Sequence, residues 1–449
     1  MTKNPNPRKA AAATPATRAL FDNQAPSFTS IAVSGFKSIR EETRIGLRPL
    51  TILTGANSSG KSSIMQPLLL LKQTMEASYD PGPLKLDGPN VIFTEARQFL
   101  TASSPDKVAD SFMVGFELSD ESDVTLRFGA TRDGVPEIRS VSYGHKGYRR
   151  RIELRPEMTP EELAQTYPPV EEGTAQRATA GNWKIMREGS FLRVRKSEPN
   201  SETIAWLPGR AAANLVAEAI HVPALRGNRE RTYPATAAGP PFPGTFDHYV
   251  GSVIQQWQDA GDKARLDELR EGLRSLGLTG QVEAIKVTGQ VEIRVGRLPN
   301  GSRQTGPDLV NISDVGFGVS QVLPVLVALI AARSGSLVYL EEPETHLHPR
   351  AQSKMAGILA QAAKRGVIVV AETHSALLLQ GIQTLVAQRE MAESLVKLHW
   401  FERGKTGFTN VRSAGLDRQG RFGKWPLDFY DAILDSETAY LDAVSAANE

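Results

Sequence analysis

One short loop constrains the fold of this chain more than any other feature. Residues 51–63 read TILTGANSSGKSS, in which Gly55 is followed by four residues and then by Gly60, Lys61 and Ser62. Glycines let the backbone curl so that successive N–H groups point at phosphate oxygens. The lysine adds a positive charge, and the serine hydroxyl suits Mg²⁺. The spacing therefore predicts a loop that binds the phosphates of a nucleoside triphosphate.

The residues on either side of the loop complete a strand, loop and helix order. An apolar run precedes the loop, and the segment from Ser63 to Met75 is mostly apolar and helix-compatible apart from Pro67. A helix that starts here points its free N–H groups at the bound anion. The alternative is a chance Gly/Ser turn. We disfavour it because the flanking apolar run and helix-compatible segment match the phosphate-loop pattern as well as the loop residues themselves do.

Composition excludes several classes of function. The chain has 449 residues, enough for about two or three domain-sized units. It contains no cysteine, which excludes disulfides and thiolate metal sites, and we expect a cytoplasmic protein. The net charge of +2 gives no overall case for nucleic acid. No apolar stretch approaches ~20 residues, so we predict no membrane span.

Changes in composition divide the chain into four parts. Residues 1–26 lack periodicity and predict a disordered tail, although their Arg-bearing, acid-poor composition also fits an organelle transit peptide. Residues 27–155 and 306–449 carry the α/β patterns of one nucleotide-binding head. Residues 156–305 are predicted to be an insertion carried by that head. The predicted fold class is α/β, with a mixed sheet and an inserted mixed α/β region.

Alternating and periodic patterns predict the main elements. Strands are predicted at 30–33, 50–53, 91–93, 111–118, 124–128, 337–340 and 367–371, with further β-structure at 137–154 and a hairpin at 281–295. Helices are predicted at 63–75, 262–276, 319–332 and 350–364. The second of these helices is amphipathic, and one face carries Leu266, Leu269, Leu273 and Leu276.

Two strand ends carry candidate catalytic residues. The apolar run at 337–340 ends in Glu341 and Glu342. In phosphate-loop enzymes such a strand is expected beside the loop strand, with its first acid holding Mg²⁺ and its second activating water. The VVAETHS segment places His374 where a histidine can bond a γ-phosphate and the attacking water. Solvated acids and a structural histidine are the alternatives.

The EPETHLHP segment also contains an H-x-H pair, His346 and His348, near Glu342. A transition-metal site is one interpretation of such a pair. The absence of cysteine, the Mg²⁺ role already given to Glu341 and the lack of an obvious third ligand argue against it. We therefore do not predict a transition-metal site.

Five segments occur in the order that soluble ABC-type ATPases show. They are GFKSI, LTGANSSGKSS, SDVGFGVSQVLP, LVYLEEPETHLHP and VVAETHS. Together they resemble the stand-alone ATPases of the SMC, RecF and overcoming-lysogenisation-defect (OLD) class, over roughly residues 28–100 and 306–380, with a weaker likeness at WPLDFYD. The resemblance implies an ABC-type P-loop ATPase head that uses ATP and Mg²⁺.

The resemblance also implies roles for individual residues. The Walker A loop would bind nucleotide through Gly55, Asn57, Ser58, Ser59, Gly60, Lys61, Ser62 and Ser63. Glu341 takes the Walker B position, Glu342 the catalytic base, residues 343–349 the D-loop and His374 the switch histidine. The metal ligands implied are Ser62, Glu341 and, as a Q-loop candidate, Gln98.

Ser313, Gly316 and Gly318 resemble the ABC signature, although the segment departs from the usual LSGGQ form. In ABC ATPases the signature completes the ATP site of the opposite subunit. One chain has one loop and one signature, so the resemblance implies a head-to-tail homodimer enclosing two ATP molecules.

The resemblance implies an ATPase that gates a separately encoded effector, a nuclease or toxin, in antiphage defence. The alternatives are a DNA repair or chromosome-maintenance ATPase and a scaffold that uses ATP only as a structural ligand. The residues after His374 include Asp417, Asp428, Asp431 and Asp435 but show no strand-borne acidic triad. We therefore expect no intrinsic nuclease.

DNA is a further candidate partner. Basic residues cluster in three places with aromatic residues between them, a pattern of nucleic-acid faces and also of ordinary solvated surfaces. The basic members are Lys146, Arg149, Arg150, Arg151, Arg193, Arg195, Lys196, Arg226, Arg229 and Arg231, and the aromatic members are Tyr143, Tyr148, Phe191 and Tyr233.

Overall fold

The computed structural model describes residues 25–104, 107–146, 151–166, 182–197, 204–226, 231–236, 239–297 and 308–423, with the single position 438. The tail predicted at 1–26 therefore lies almost wholly outside the described residues, as do Asp428, Asp431 and Asp435. Among the described helices, none combines the length and apolar character needed to cross a bilayer.

The chain contains both strands and helices, with several strands in succession in its first half and a closer alternation of strands and helices towards residue 423. The strands are β1 (Phe28–Ser34), β2 (Thr43–Gly46), β3 (Leu50–Gly55), β4 (Ala102–Ser104), β5 (Lys107–Val108), β6 (Ser111–Leu118), β7 (Ser122–Ala130), β8 (Pro136–His145), β9 (Ile152–Leu154), β10 (Asn182–Glu188), β11 (Phe191–Ser197), β12 (Ile204–Trp206), β13 (Ile220–Val222), β14 (Tyr233–Pro234), β15 (Val282–Val287), β16 (Gln290–Gly296), β17 (Leu309–Asn311), β18 (Leu337–Glu341), β19 (Ile368–Glu372), β20 (Val396–Arg403) and β21 (Thr409–Ala414). The helices are α1 (Lys61–Met75), α2 (Pro160–Thr166), α3 (Arg210–Glu218), α4 (Val250–Asp259), α5 (Lys263–Ser275), α6 (Phe317–Ala331), α7 (Pro349–Lys364) and α8 (Ala376–Ala387).

The central sheet carries the phosphate loop and both acidic strand ends. Its strand order is β13-β18-β19-β3-β20-β21, with the first five strands parallel and β21 antiparallel. The expectation that the acidic strand lies beside the loop strand is wrong, because β19 separates β18 from β3. The functional ends still meet, since parallel strands bring their carboxyl ends to one edge of a sheet.

Alternate residues of the central strands enter two different hydrophobic cores. On β18, Val338 and Leu340 pack with α6, α7 and α8, whereas Leu337 and Tyr339 pack with α1. These strands read as continuous apolar runs because both faces are buried. The central sheet therefore lies between the two hydrophobic cores and contributes to both.

A second, antiparallel sheet covers α1 and has the order β2-β1-β6-β7-β8-β9. Its end near the phosphate loop holds a cluster of aromatic rings, whose centroids lie 5.2 to 6.3 Å apart. The rings are Phe36, Phe93, Phe99, Phe112 and Phe128. Phe36 belongs to the GFKSI segment, so this segment is anchored between the two sheets.

The predicted insertion at 156–305 contains two small sheets, β10-β11-β12 and β14-β16-β15, and β17, which follows the insertion in the chain, pairs with β16. The amphipathic helix is confirmed as α5, and its four leucines are all buried. The hairpin predicted at 281–295 is confirmed as β15 and β16. One strand of this region, β13, pairs in parallel with β18 and so forms the edge of the central sheet.

The prediction of a strand at 91–93 is wrong. The side chain of Gln73 accepts from Val91 N at 3.1 Å and donates to Val91 O at 3.0 Å, so the groups that a ladder needs are occupied. The neighbouring Ile92 is 71% exposed and makes one isolated bridge to Asp87. The predicted α/β fold class is confirmed, because the central sheet is mixed and further strands and helices form an additional α/β region.

Candidate functional site

The phosphate loop joins β3 to α1, and two of its positions accept only glycine. Gly55 has φ +142°, and a Cβ there would lie 2.0 Å from the backbone oxygen of Phe401. Gly60 has φ +100°, and its Cβ would lie 2.3 Å from Thr409 Oγ1. Such φ values favour glycine. The C-terminal hairpin β20–β21 therefore forms the outer wall of the loop.

Lys61 begins α1 and turns its ammonium back over the loop. Nζ donates to Gly55 O at 3.1 Å and to Ala56 O at 2.9 Å, and the residue is 4% exposed. Burial lowers the pKa of Lys61, while the charges of Glu372 and Glu342 act in the opposite direction. The positive charge is thus held at the loop, where phosphate oxygens can replace the carbonyls as its partners.

Ser62, the predicted Mg²⁺ ligand, donates to a carboxylate that the sequence analysis did not single out. Its Oγ lies 2.9 Å from Glu372 Oε1, and Tyr339 Oη donates to Glu372 Oε2 at 2.8 Å. Burial raises the pKa of Glu372, and these two hydrogen bonds oppose the rise. Glu372 ends β19 directly before Thr373 and His374. Its position in the VVAETHS segment is the sequence feature from which a role at this site could have been predicted.

Glu341, the Walker B candidate, ends β18 and is held by two donors. His221 Nε2 lies 3.2 Å from Glu341 Oε1, and Ala224 N donates to Oε2 at 3.1 Å. Burial alone would raise the pKa of Glu341, but the bonds from His221 and Ala224 outweigh it and the pKa is lowered. A carboxylate kept ionised in this way suits a divalent cation.

Glu342 and His374 lie together at the ends of adjacent strands. Glu342 Oε1 is 3.9 Å from His374 Nε2, and Glu342 Oε2 accepts from Thr345 Oγ1 at 3.0 Å. Burial lowers the pKa of His374, as does the charge of Lys61. Glu342 also has φ +44°, a strained backbone for a residue other than glycine. Both side chains are about one-third exposed, so solvent reaches the pair.

The outer side of the phosphate loop is braced by residues distant in sequence. Thr409 Oγ1 donates to Ser59 O at 2.7 Å and lies 2.7 Å from Ser38 Oγ. Arg403 Nε donates to Ser58 O at 2.8 Å. The GFKSI segment therefore supports the phosphate loop indirectly, because Ser38 contacts Thr409 and Thr409 donates to the backbone oxygen of Ser59.

The structure contradicts the assignment of Arg226 to a basic surface. It is 3% exposed, and its guanidinium donates to Gln321 O at 2.7 Å, Glu341 O at 2.6 Å and Glu342 O at 2.9 Å. A further bond reaches Pro223 O at 3.1 Å. Burial lowers the pKa of Arg226 to about 10. Arg226 thus joins the acidic strand end to α6 and cannot face nucleic acid.

Other members of the basic clusters are paired with acids. Arg151 pairs with Asp123, Arg193 with Glu188 at 3.0 Å and Arg231 with Asp314 at 2.6 Å. Arg149, Arg150 and Arg229 lie outside the described residues. A DNA-binding face therefore stays a prediction, with less free positive charge than the sequence indicates.

The signature candidates lie at the start of α6. Gly316 caps the helix, and a Cβ at Gly318 would meet Leu278 at 3.3 Å and the backbone oxygen of His346 at 3.7 Å. Phe317 between them is 61% exposed. Ser313 N donates to Asn311 Oδ1 at 2.9 Å in the turn that precedes the helix. The segment predicted to be the signature therefore lies beside residues 343–349, the predicted D-loop, and carries an aromatic ring exposed to solvent.

The remaining predicted site residues differ in their surroundings. Asn57 and Ser58 are exposed, and Ser63 N donates to Gly60 O at 3.1 Å in the first turn of α1. Gln98 is exposed, and its amide bonds both Thr94 N and Thr94 Oγ1. A different amide, Asn90, bonds the histidine that holds Glu341, with Asn90 Oδ1 3.0 Å from His221 Nδ1.

The donor set fits Mg·ATP. Ser62 and Glu341 supply the hydroxyl and carboxylate oxygens that Mg²⁺ prefers, with substrate phosphates completing its shell. The buried Ser59 Oγ lacks a hydrogen-bond partner within the described part of the chain. In the same part of the chain, no group of three or more His, Cys, Asp or Glu residues could hold a metal by itself. His348 instead caps α7, its Nδ1 accepting from Arg350 N at 3.4 Å.

Comparison with known proteins gives one family. The family described as "AAA domain, putative AbiEii toxin, Type IV TA system" matches residues 50–380, which contain the phosphate loop, both acidic strand ends and His374. No curated protein matches the chain significantly.

Three solved structures of SMC head domains are similar at low identity. One is an SMC head bound to the C-winged helix domain of ScpA, with 15% identity, a TM-score of 0.48, and coverage of 87% of this chain and 98% of that chain. An SMC head from Pyrococcus furiosus, bound to the C-terminal domain of ScpA, has 13% identity, a TM-score of 0.46 and coverage of 94% and 100%. The SMC head from Thermotoga maritima has 14% identity, a TM-score of 0.38 and coverage of 86% and 98%. Similarity at this level does not establish a shared function.

Proposed function

The chain belongs to the AAA-domain family that matches residues 50–380, and from this premise we propose that it binds and hydrolyses Mg·ATP. The observation that carries the proposal is the pair Glu342 and His374, 3.9 Å apart at the strand ends next to the phosphate loop. A scaffold that only binds ATP has no need of a base and a histidine in this position.

Each residue has a defined part in the proposed reaction. Loop N–H groups and Lys61 bind the phosphates, while Ser62 and Glu341 hold Mg²⁺, which neutralises phosphate charge when bound. Glu342 accepts a proton from the attacking water as general base. His374 donates one hydrogen bond toward the γ-phosphate. Arg226 and Thr409 hold these groups in place through the backbone.

We further propose that two copies enclose ATP head to tail. Support comes from Phe317, which is 61% exposed at the start of α6, and from His346, whose ring centroid lies 6.1 Å from that of Phe317. An exposed aromatic ring beside an anion-binding helix start suits a surface that meets another subunit and its nucleotide. ATP then stabilises the dimer, and hydrolysis releases it.

The dimer is proposed to gate a separately encoded nuclease or toxin in antiphage defence, a role that the toxin–antitoxin wording of the family description supports. The alternative is a DNA repair or chromosome-maintenance ATPase. Burial of Arg226 and the acidic partners of Arg151, Arg193 and Arg231 weaken that alternative. ATP turnover that DNA stimulates in a salt-dependent way would favour it instead.

Two substitutions test the proposed reaction. Lys61→Ala should weaken ATP binding by about 100-fold, since charge-assisted bonds to phosphate are lost. Glu342→Gln should bind ATP normally, lower kcat by about 100-fold or more and accumulate ATP-bound dimers in light scattering. The exposed Glu390→Gln variant serves as the matched control and should behave as wild type. Wild-type turnover by Glu342→Gln would show that another group is the base.

A further inference from the structure

We propose that His221 is a positioning residue for the metal-binding carboxylate, and that it links Glu341 to Asn90 in the segment after α1. This inference rests on the proposed function, because it concerns the same Mg²⁺ site. His221 lies on β13, outside the segments that carry the family motifs, and neither the phosphate loop nor the acidic strand end contains it.

The position of His221 is fixed from three directions. It is 2% exposed and stands opposite Tyr339 in the parallel pairing of β13 with β18. Its ring stacks on the Tyr339 ring with a centroid distance of 5.4 Å and an interplanar angle of 11°. Both ring nitrogens have polar partners, since Nε2 meets Glu341 at 3.2 Å and Nδ1 meets Asn90 at 3.0 Å.

The bonding fixes the direction of the contact with Glu341. A carboxylate only accepts, so Nε2 carries a hydrogen and the histidine donates to Glu341 Oε1. Ala224 N, from the turn after β13, donates to the other oxygen at 3.1 Å. One strand and its turn therefore set the orientation of the whole carboxylate while each oxygen keeps lone-pair capacity for a cation or its water.

This arrangement is the type of support that metal-binding carboxylates receive. Partners of a ligating group orient it, and their removal typically weakens metal binding by about 10- to 100-fold. Tyr339 extends the same support, because its ring packs against His221 while its hydroxyl donates to Glu372, the partner of Ser62. His221 and Tyr339 thus connect Ser62 and Glu341, two of the three predicted Mg²⁺ ligands, through buried contacts.

The experiment measures cation affinity apart from turnover. Mn²⁺ serves as the probe, and its dissociation constant is measured by electron paramagnetic resonance with saturating ADP. His221→Leu should raise this constant by about 10-fold or more, and should raise the Mg²⁺ concentration for half-maximal ATP turnover in parallel. His221→Gln, whose amide can place an N–H near the Nε2 position, should restore most of the affinity.

Two further variants separate positioning from general stability. His399 is a buried histidine of the same sheet, bonded to Ser413 Oγ and Gly46 O, so His399→Leu should lower stability without changing Mn²⁺ affinity. Asn90→Leu removes the outer anchor of His221 and should weaken Mn²⁺ binding several-fold in a folded protein. Asn90→Leu tests the positioning role of His221 if His221→Leu fails to fold.

Unchanged Mn²⁺ affinity in His221→Leu, or in Asn90→Leu when the first is unfolded, overturns the inference while leaving the proposed function intact. Equal losses in His221→Leu and His221→Gln also overturn it, because the N–H donor would then be irrelevant. A wild-type protein without nucleotide-dependent Mn²⁺ binding overturns the proposed function as well as the inference.

Discussion

The hydroxyls of Ser38 and Thr409 lie 2.7 Å apart although 371 positions separate them in the chain. Both residues are buried, and Thr409 Oγ1 also contacts Ser59 O at 2.7 Å. The GFKSI segment, the phosphate loop and the C-terminal hairpin thus meet at one threonine. This contact therefore supports the phosphate loop from outside its own sequence.

We expect Thr409→Val to damage both stability and ATP binding. Valine keeps the shape of threonine but leaves Ser59 O and Ser38 Oγ without this partner, at a cost of about 1–3 kcal/mol. Urea unfolding measures the loss of stability, and titration with ATP measures the expected several-fold loss of affinity.

The control for this change is Thr51→Val at the other end of β3. Thr51 is also fully buried, and its Oγ1 bonds Arg48 N and O. Its loss should reduce stability to a similar extent with ATP affinity unchanged. Equal effects of the two variants on ATP affinity would argue against a specific role for Thr409.

Gly60→Ala should abolish ATP binding, in contrast to Gly82→Ala. Both glycines have positive φ, +100° and +91°, so alanine costs each about 1–2 kcal/mol of backbone strain. Only at position 60 does the added Cβ meet other atoms, Thr409 Oγ1 at 2.3 Å and Ser38 Oγ at 2.9 Å. Thermal unfolding and ATP titration of both variants measure the difference, and matching ATP affinities would contradict it.

Arg226→Met should strongly destabilise the folded protein. It leaves four backbone oxygens without their buried donor, and we expect a loss of about 3 kcal/mol or more in urea unfolding. Arg231→Met removes an arginine that is 64% exposed at its side chain and paired with Asp314. That control should change stability by about 1 kcal/mol or less, and a similar loss in both variants would refute the bracing role of Arg226.

Acid should destabilise the protein through His399. Burial lowers the pKa of this histidine to about 4 from an ordinary 6.5, and its hydrogen bond to Gly46 O opposes only part of this shift. The unfolded chain therefore binds the proton first. The stability contribution is fully present above pH 6.5 and is lost as pH falls toward 4, by about 3 kcal/mol in total.

The measurement is the free energy of unfolding at several pH values for wild type and His399→Gln. Glutamine does not titrate. The difference in free energy of unfolding between wild type and His399→Gln should therefore narrow or invert as pH falls from 6.5 to 4. Parallel curves would show that other groups cause the acid sensitivity.

The sequence predicted the parts of the site whose chemistry is local. Loop glycines, the acids at the end of β18 and the histidine after β19 each follow an apolar run, and strand ends of a parallel sheet converge. It did not predict His221, because β13 is only three residues long and its partner strand lies more than a hundred positions later. The contact of Glu372 with Ser62 and the burial of Arg226 were missed for the same reason: side-chain partners distant in the chain leave no periodic signal.

The position of β3 between β19 and β20 has a consequence for biosynthesis. The strands that flank the phosphate loop, and the threonine that props it, are translated more than three hundred codons after the loop itself. A nascent chain that has emerged only as far as α6 holds every Walker A residue and still lacks a finished nucleotide pocket. The proposed ATP site of this polypeptide is thus assembled only after the segment through Thr409 has been translated.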